Sequence, residues 1–321
     1  MPGCAGVAVA IHLPEAEGVH LARTLESGQA FRWRWERGAS GRGAVVGVIG
    51  GRVLRILQDE RGLWLISPPT DAARRRLRTY LGLLAGPGRL SDVEAALARD
   101  PALSRVLPHT RGIAVLAQDP WEVLISFIIS ANNNIPKIRQ SIEQLARSLG
   151  EPIGKGRHAF PTPERLAAAP ARTLAACLLG YRAPYVRAAA RLVVDGRLDL
   201  RALRRRPVDE ARETLLSVPG VGDKVADCTL LFGLGQTAAF PVDVWVKRAV
   251  ERLYFRGRAR TAGQIRAFAQ ARFGPISGYA QQHLFAYARA YLGPRGARSG
   301  PVRPGLWMTE PPRRAGPTPT D

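Results

Sequence analysis

The sequence predicts an α+β protein, in which an N-terminal antiparallel β-sheet domain is followed by a mostly α-helical domain. Residues from about 7 to 67 contain short apolar runs separated by glycine, a pattern typical of strands. From about residue 70 onward, apolar residues recur every three or four positions, which is typical of helices. Within that second region, Pro-Gly-Val-Gly at 219–222 separates two predicted helices, so we expect a helix–hairpin–helix.

The strand-rich region contains a clear hairpin signal. The runs 43–50 and 52–57 contain Val, Ile and Leu and meet at Gly50-Gly51. Two adjacent glycines suit a two-residue hairpin turn, because such turns need positive φ angles. The run 63–66 predicts a third strand, and 28–33 leads into another.

The helical region shows its buried faces directly. Ile138, Ile142, Leu145 and Leu149 follow one another at spacings of four, three and four, which predicts one buried helix face. Further predicted helices cover about 207–217, 222–233 and 244–253. We expect a β-rich domain over 7–115, a helical domain over 116–293 and a disordered basic tail over 294–321.

The charge of the chain points to a polyanionic partner. Its 321 residues include 47 Lys and Arg but only 26 Asp and Glu, which gives a formal net charge of +21. Nucleic acid is the first candidate for such a partner. An arginine-rich compositional bias is the alternative, but it does not explain why acidic residues fail to balance the charge.

The cysteines predict neither a disulfide framework nor a metal site. Cys4, Cys177 and Cys228 are widely separated, so no zinc or iron–sulfur ligand set can be drawn from them. No apolar run reaches membrane-spanning length. We therefore expect a soluble protein of a reducing compartment, with no metal, no cofactor and no membrane partner.

Lys224 lies just after the predicted hairpin, in a chain that has only four lysines among its 47 basic residues. An amine can act as a nucleophile when it is neutral, and the positive end of a helix dipole disfavours the ammonium form. A solvated lysine that contacts phosphate is the alternative. Gly220 and Gly222 allow the backbone to approach a ligand closely, and the amides that follow suit a phosphate.

Asp243 follows Pro241-Val242 and precedes a predicted helix. An aspartate at this position is often only a helix N-cap. A capping carboxylate can also face a cavity, and beside a deoxyribose its charge would stabilise a developing oxocarbenium ion. Both interpretations of Asp243 stay open at this stage.

Residues 216–228 (Leu-Ser-Val-Pro-Gly-Val-Gly-Asp-Lys-Val-Ala-Asp-Cys), followed by Pro-Val-Asp-Val at 241–244, resemble the helix–hairpin–helix DNA glycosylases with a Gly/Pro-rich loop and a distal Asp. Within them the chain is most similar to the 8-oxoguanine DNA glycosylases, and Val-Trp-Val-Lys-Arg at 244–248 resembles their prokaryotic branch. Four further segments match in order: 27–33, 130–135, 179–185 and 279–285. Together the matches span about residues 27–293.

The resemblance implies a bifunctional enzyme that excises 8-oxoguanine opposite cytosine from double-stranded DNA. The damaged nucleotide would be flipped into a pocket. Lys224 would attack C1′ of the sugar, and the resulting Schiff base would permit β-elimination at the abasic site. Asp243 would stabilise the cationic sugar. A monomer in a prokaryotic cytoplasm, associated with the nucleoid, is the expected form.

The resemblance also implies the residues that bind the damaged base. Cys228 and Phe285 would sandwich it, and Gln281 would bond its Watson–Crick edge. The Gly28 carbonyl would accept the N7 hydrogen that 8-oxoguanine has and guanine lacks. Core packing is the alternative role for Cys228 and Phe285.

The expected DNA-binding residues lie outside this base pocket. Asn132, Tyr181 and Arg182 match the residues that enter the gap and read the estranged cytosine. The remaining candidates are Gly220, Gly222, Trp245 and Lys247. The chain departs from the mammalian-type pattern at Trp245, where those enzymes carry His, and at Ala288, where they carry Asp.

Two other functions fit part of this pattern. An alkylbase glycosylase that releases 3-methyladenine would need Asp243 but not Lys224, because that chemistry uses water and the carboxylate. A non-catalytic helix–hairpin–helix module would bind DNA and leave both residues without a role.

Overall fold

Five antiparallel strands form the N-terminal sheet in the order β1-β5-β4-β3-β2. The computed structural model describes residues 10–37, 43–83 and 88–293. The strands are β1 (Ile11–His12), β2 (Arg34–Arg37), β3 (Gly43–Ile49), β4 (Arg52–Asp59) and β5 (Gly62–Ser67). Cys4, the first residues of the predicted β-rich domain and the predicted tail at 294–321 lie outside the described residues.

The predicted hairpin at Gly50-Gly51 is confirmed. Both glycines have positive φ, 53° and 69°, and they connect Ile49 to its partner Arg52 across the turn. Only residues that tolerate the left-handed region fit such a two-residue connection between twisted strands.

The run 28–33 leads into a strand as predicted, but β2 begins only at Arg34. In this segment, hydrogen bonds from the side chain of Gln29 to the backbone of 114–116 replace the strand-to-strand hydrogen bonds of a sheet. Its amide nitrogen donates to the carbonyl of Ala114 at 2.8 Å, and its oxygen accepts from the amide of Leu116 at 2.8 Å. This segment is therefore fixed against the chain that enters the helical region, and Gly28 lies at its start.

Fifteen α-helices are present in the described residues. They are α1 (Leu21–Glu26), α2 (Asp71–Tyr80), α3 (Leu90–Leu97), α4 (Leu103–Thr110), α5 (Pro120–Ser130), α6 (Ile135–Leu149), α7 (Pro163–Ala168), α8 (Ala171–Ala176), α9 (Ala183–Val194), α10 (Leu200–Leu203), α11 (Val208–Leu216), α12 (Asp223–Cys228), α13 (Val244–Tyr254), α14 (Ala262–Phe273) and α15 (Ser277–Tyr291). A two-stranded ribbon, β6 (Pro152–Gly154) and β7 (Arg157–His158), separates α6 from α7.

The helical core is built around α5, whose residues from Val123 to Ser130 are all buried. A helix that is apolar on every side belongs at the centre of a domain. The predicted face of α6 is confirmed, with Ile138, Ile142 and Leu145 buried and Leu149 half-buried.

The described residues form two hydrophobic cores, one in the sheet region and one among the helices. Buried residues of α3 and α4, including Leu97, Leu103 and Leu107, belong to the helical core although they precede residue 116. The domain boundary at 115/116 stays a prediction. None of the helices in the described ranges is long and apolar enough to cross a membrane.

Candidate active site

The hairpin between α11 and α12 brings two glycines to the surface in different ways. Gly220 has a φ of 82°, and a Cβ atom on it would lie 2.5 Å from the ring of Tyr185. Gly222 has extended backbone and is the N-cap of α12, and a Cβ atom on it would meet no other atom within 4 Å. Gly220 therefore fixes the shape of the turn, whereas Gly222 leaves space for a ligand to approach the first amides of α12.

The orientation of α12 is set by a buried carboxylate on the side away from the cavity. Asp227 Oδ1 accepts from Arg212 Nε at 2.9 Å, and its Oδ2 lies 3.5 Å from Arg266 Nη1. Arg212 also donates to Asp223 in the first turn of the helix. Charge-assisted bonds on both ends hold this short helix in one position.

The chain continues from α12 into a π-helical turn at Thr229–Gly233. Such wide turns are rare and are found mostly at functional sites, because they change the direction of the following side chains. Here Phe232 lies within the turn and lines the same cavity as Lys224.

Lys224 is half-buried in the first turn of α12. Its Nζ donates a hydrogen bond of 2.7 Å to the hydroxyl of Ser130 at the end of α5, and it lies 4.7 Å from the ring centre of Phe127. Ser130 Oγ in turn donates to the carbonyl of Phe127. The amine is thus held by one neutral hydroxyl and an aromatic face, and none of the described carboxylates lies within 4 Å of it.

Asp243 is the N-cap of α13, as the simpler interpretation of the sequence predicts. Its Oδ1 accepts from the amides of Trp245 at 3.0 Å and Val246 at 2.8 Å. The same carboxylate lines the cavity beside Lys224. Burial raises the pKa of Asp243 above its usual value, although the bonds from α13 and the charge of Lys224 act in the opposite direction. The two interpretations of Asp243 are compatible, because one carboxylate caps the helix and faces the cavity.

The predicted catalytic and base-binding residues meet in one cavity of about 360 Å³. Its wall includes Gly28, Lys224, Cys228, Asp243, Gln281 and Phe285. These residues come from the segment before β2, from α12, from the loop before α13 and from α15. Residues that are distant in sequence therefore surround one space that a base could enter.

The wall is shaped for a flat ligand. A Cβ on Gly28, whose φ is 78°, would lie 3.0 Å from the Phe285 ring, so only glycine brings the backbone this close to the aromatic edge. Burial raises the pKa of the Cys228 thiol to about 12, which keeps it neutral and unreactive. Gln282 Nε2 donates to Gln281 Oε1 at 2.8 Å and fixes that side chain.

The structure also brings Asn132, Tyr181 and Arg182 together. Arg182 donates four hydrogen bonds to the carbonyls of Ala131, Asn132 and Leu179, and its side chain is buried. Asn132 has a φ of 49° and donates to the Tyr181 hydroxyl at 3.2 Å. Tyr181 is 55% exposed. Arg182 therefore supports the backbone of the loop that presents Asn132, a role that the sequence did not indicate.

Two family models match consecutive parts of the chain. Residues 10–124 match the 8-oxoguanine DNA glycosylase N-terminal domain. Residues 125–275 match the HhH-GPD superfamily of base excision DNA repair proteins. The chain belongs to the 8-oxoguanine DNA glycosylase family. The predicted family, fold class and enzyme class, an N-glycosylase with DNA lyase activity, are thereby confirmed.

Known proteins similar to this glycosylase agree with the assignment. A probable N-glycosylase/DNA lyase of Methanothermobacter thermautotrophicus is 33% identical over 73% of this chain and 81% of its own length. The structure of MBOgg1 with a low-affinity DNA ligand is 37% identical, with a TM-score of 0.80 over 89% of this chain and 97% of its own. An 8-oxoguanine glycosylase/lyase of Clostridium acetobutylicum, bound to double-stranded DNA with cytosine opposite 8-oxoguanine, is 34% identical, with a TM-score of 0.77 over 84% and 92% of the two chains.

The last two predicted DNA-binding residues of the glycosylase lie in different surroundings. Trp245 lines the cavity, and the guanidinium of Arg248 lies 5.1 Å from its ring centre. Lys247 is on the exposed side of α13, where its Nζ lies 3.8 Å from Glu251 Oε1. Trp245 is therefore a wall residue, and Lys247 is a surface cation with an intrahelical partner.

Sequence reasoning did not assign a role to several wall residues, among them Ser130, Phe127 and Arg289. Ser130 stands in the matched segment 130–135, so its place beside Asn132 was a usable signal. Arg289 lies four residues after Phe285, a spacing that puts both on one helix face. Among the described residues, no group of three or more His, Cys, Asp or Glu is arranged to hold a metal ion.

Proposed function

We propose that this glycosylase excises 8-oxoguanine paired with cytosine and then cleaves the abasic site through a Schiff base on Lys224. The main support is the single cavity in which the amine of Lys224 and the carboxylate of Asp243 lie beside the predicted base-binding residues. The cytosine-paired complex of the Clostridium acetobutylicum relative supports the choice of opposite base.

The chemistry begins when the neutral amine of Lys224 bonds to C1′ as the bond from C1′ to the base breaks. Asp243 stabilises the positive charge that develops on the sugar. Because burial raises the pKa of its carboxyl group, Asp243 is also suited to take up the proton that Lys224 must lose. The departing base carries away the bonding electrons and receives a proton.

The amine–sugar adduct then opens to an iminium, the Schiff base. Removal of a proton from C2′ expels the 3′ phosphate and completes β-elimination. Ser130 accepts a hydrogen bond from Lys224 and so holds the amine in position beside the cavity.

Base selection is assigned to the cavity wall. Cys228 and Phe285 contact the two faces of the base, and Gln281 bonds its Watson–Crick edge. The Gly28 carbonyl accepts the N7 hydrogen of 8-oxoguanine. Guanine leaves that buried acceptor unpaired, at a cost of about 1–3 kcal/mol.

Duplex binding is assigned to the surface around the cavity. The amides after Gly220 and Gly222 contact a phosphate without reading sequence. Asn132 enters the gap left by the extruded nucleotide, Tyr181 lies against the estranged cytosine, and Arg182 supports this contact by holding the loop that carries Asn132. Trp245 and Lys247 extend this surface along α13. We further propose that the enzyme is a monomer that acts on nucleoid DNA in a prokaryotic cytoplasm.

Borohydride trapping tests the proposal most directly, because reduction fixes a Schiff base as a permanent covalent complex. The wild-type protein should become attached to a duplex containing 8-oxoguanine opposite cytosine. Lys224→Gln should abolish both trapping and base release. Lys155→Gln is the matched control, since it removes an exposed lysine in the turn between β6 and β7, outside the cavity wall, and it should retain trapping.

The other outcomes identify the competing functions. Release of 3-methyladenine without trapping would support the alkylbase glycosylase. Binding without base release would support the non-catalytic module. Strong trapping by Lys224→Gln would falsify the assignment of the nucleophile.

A further inference from the structure

Arg289 is a cation on the cavity wall that the proposed chemistry does not use. It follows Gln281 and Phe285 on α15 at spacings of eight and four residues, so the three side chains share a helix face. Its guanidinium carbon lies 5.5 Å from the ring centre of Phe285. Within the described chain, the guanidinium donates no hydrogen bond and has no carboxylate within 4 Å.

This lack of partners distinguishes Arg289 from other arginines close to the site. Arg182 donates four hydrogen bonds to carbonyls, and Arg212 is bonded to Asp223 and Asp227. Arg248 lies over Trp245 but donates to the carbonyl of Leu292. Arg289 keeps all five N–H donors available at the exposed edge of the cavity.

The place of Arg289 indicates which part of a nucleotide it meets. Of the described residues that line the cavity, only Lys224 and Arg289 have basic side chains. Lys224 is committed to the sugar and is bonded to Ser130. Arg289 and Asp243 line the same cavity, so the guanidinium shares a wall with the carboxylate that faces the sugar. A deoxyribose carries a phosphate on each side, and a planar guanidinium matches phosphate oxygens in a two-bond contact.

The neighbouring residues do not provide this contact. Trp245, which follows the Pro-Val-Asp-Val segment, is uncharged and lies on the wall. Lys247 is outside the wall and lies 3.8 Å from Glu251. A nucleotide with its base in the cavity therefore has one unpartnered cation beside its sugar.

We propose that Arg289 binds a phosphate flanking the extruded nucleotide and thereby holds its deoxyribose against Lys224 and Asp243. The inference rests on the proposed function, because it assumes that a nucleotide enters this cavity. Stacking of the guanidinium on Phe285 keeps the cation in place before DNA arrives.

A double-substitution cycle on protein and DNA tests the contact. Affinity is measured for a duplex carrying a tetrahydrofuran abasic analogue, which the enzyme cannot cleave. In separate duplexes the phosphate on either side of the analogue is replaced by an uncharged methylphosphonate. The proteins compared are the unsubstituted enzyme, Arg289→Gln and the matched control Arg248→Gln, whose guanidinium lies over an aromatic ring but outside the cavity wall.

Arg289→Gln should weaken binding of the unmodified duplex about tenfold or more. One methylphosphonate position should weaken binding by the unsubstituted enzyme to a similar extent, yet weaken Arg289→Gln no further. The slope of log affinity against log salt should fall by about one for Arg289→Gln. Arg248→Gln should lose affinity at that methylphosphonate position to the same extent as the unsubstituted enzyme.

If each methylphosphonate weakens binding by Arg289→Gln as much as it weakens binding by the unsubstituted enzyme, the two losses are additive and the phosphate contact is overturned. A loss of binding confined to duplexes with 8-oxoguanine, with none on the analogue, would also overturn it and indicate that Arg289 supports only Phe285. The analogue carries no base, so its result does not depend on which damaged base the enzyme removes. If the enzyme does not prefer 8-oxoguanine over guanine, the proposed function is contradicted. The affinities measured on the abasic analogue would still test the contact between Arg289 and the phosphate.

Discussion

The cavity wall and the loops that surround it are built on different principles. In the wall, side chains from distant segments present an amine, a carboxylate and an aromatic ring to one space. In the surrounding loops, side chains are used to fix the backbone. Arg182 bonds three carbonyls, and the ring of Tyr185 lies where a side chain at Gly220 would stand.

This difference separates chemistry from positioning. A substitution in the wall should remove a reacting group while the fold persists. A substitution in the loops should disturb the backbone first and DNA binding as a consequence. The following predictions test that distinction.

Asp243→Asn should give the largest effect. An asparagine still caps α13, since its side-chain oxygen can accept from the same two amides, but it carries no charge. The rate of base release should fall about 100- to 1,000-fold, comparable to the loss of one electrostatic contact to a transition state. Single-turnover excision and thermal unfolding, measured together, should show a slow enzyme of nearly unchanged stability.

The pH dependence provides the control for Asp243. Burial raises the pKa of its carboxyl group, so the reactive carboxylate is lost at a higher pH than the 3.8 typical of aspartate. The wild-type excision rate should therefore fall as the pH is lowered through that raised value. Asp243→Asn should lack this acidic limb, and an identical limb in both proteins would assign it to another group.

The two hairpin glycines form a matched pair. Gly220→Ala forces a side chain into the left-handed region and against Tyr185, and it should cost about 1–3 kcal/mol of unfolding free energy. The Cβ atom that Gly222→Ala adds meets no other atom within 4 Å, so this change should leave stability unchanged. It should instead weaken binding to undamaged duplex. Denaturant unfolding and a binding titration distinguish them. Equal stability losses would show that both glycines are structural.

Phe285→Ala should mainly affect the damaged base. The half-buried ring is expected to stack on that base, and its loss should cost about 1–3 kcal/mol in 8-oxoguanine processing. Phe127→Ala is the matched control, because Phe127 lines the same cavity but is only 3% exposed. That change should instead cost about 3–5 kcal/mol of stability. A comparable collapse for Phe285→Ala would place it in the core.

Arg182→Ala should give the smallest effect on rate and the clearest effect on specificity. Loss of its four hydrogen bonds loosens the loop carrying Asn132, so the preference for cytosine opposite the lesion should decrease. Excision opposite each of the four bases measures this preference. Arg187→Ala, on the helix α9 that follows Arg182 and bonded to the Ala169 carbonyl, is the control and should keep the preference for cytosine. A uniform rate loss with the preference intact would leave Arg182 without a role in opposite-base choice.

Local patterns were sufficient for the elements and for the chemistry of single residues. The Gly50-Gly51 turn, the face of α6 and the helices on either side of 219–222 depend on residues a few positions apart, and the sequence predicts them correctly. Residue chemistry marked Lys224 and Asp243 as candidates, with a phosphate contact and a helix cap as the alternatives, and the resemblance to the glycosylases implied their catalytic roles. Their roles remain predictions that the trapping and excision experiments test.

Tertiary structure alone decided which groups are partners. Ser130 and Lys224 are 94 residues apart, yet they share a hydrogen bond because the end of α5 packs against α12. Gly28 belongs to the sheet region and meets Phe285 of α15 only through the way the two regions dock. Nothing in the sequence distinguishes Arg182 from Arg289. Packing within the described residues gives Arg182 four hydrogen bonds to carbonyls and gives the Arg289 guanidinium none. Periodicity and turn chemistry are properties of a short segment, whereas the availability of a charged group depends on everything that folds around it.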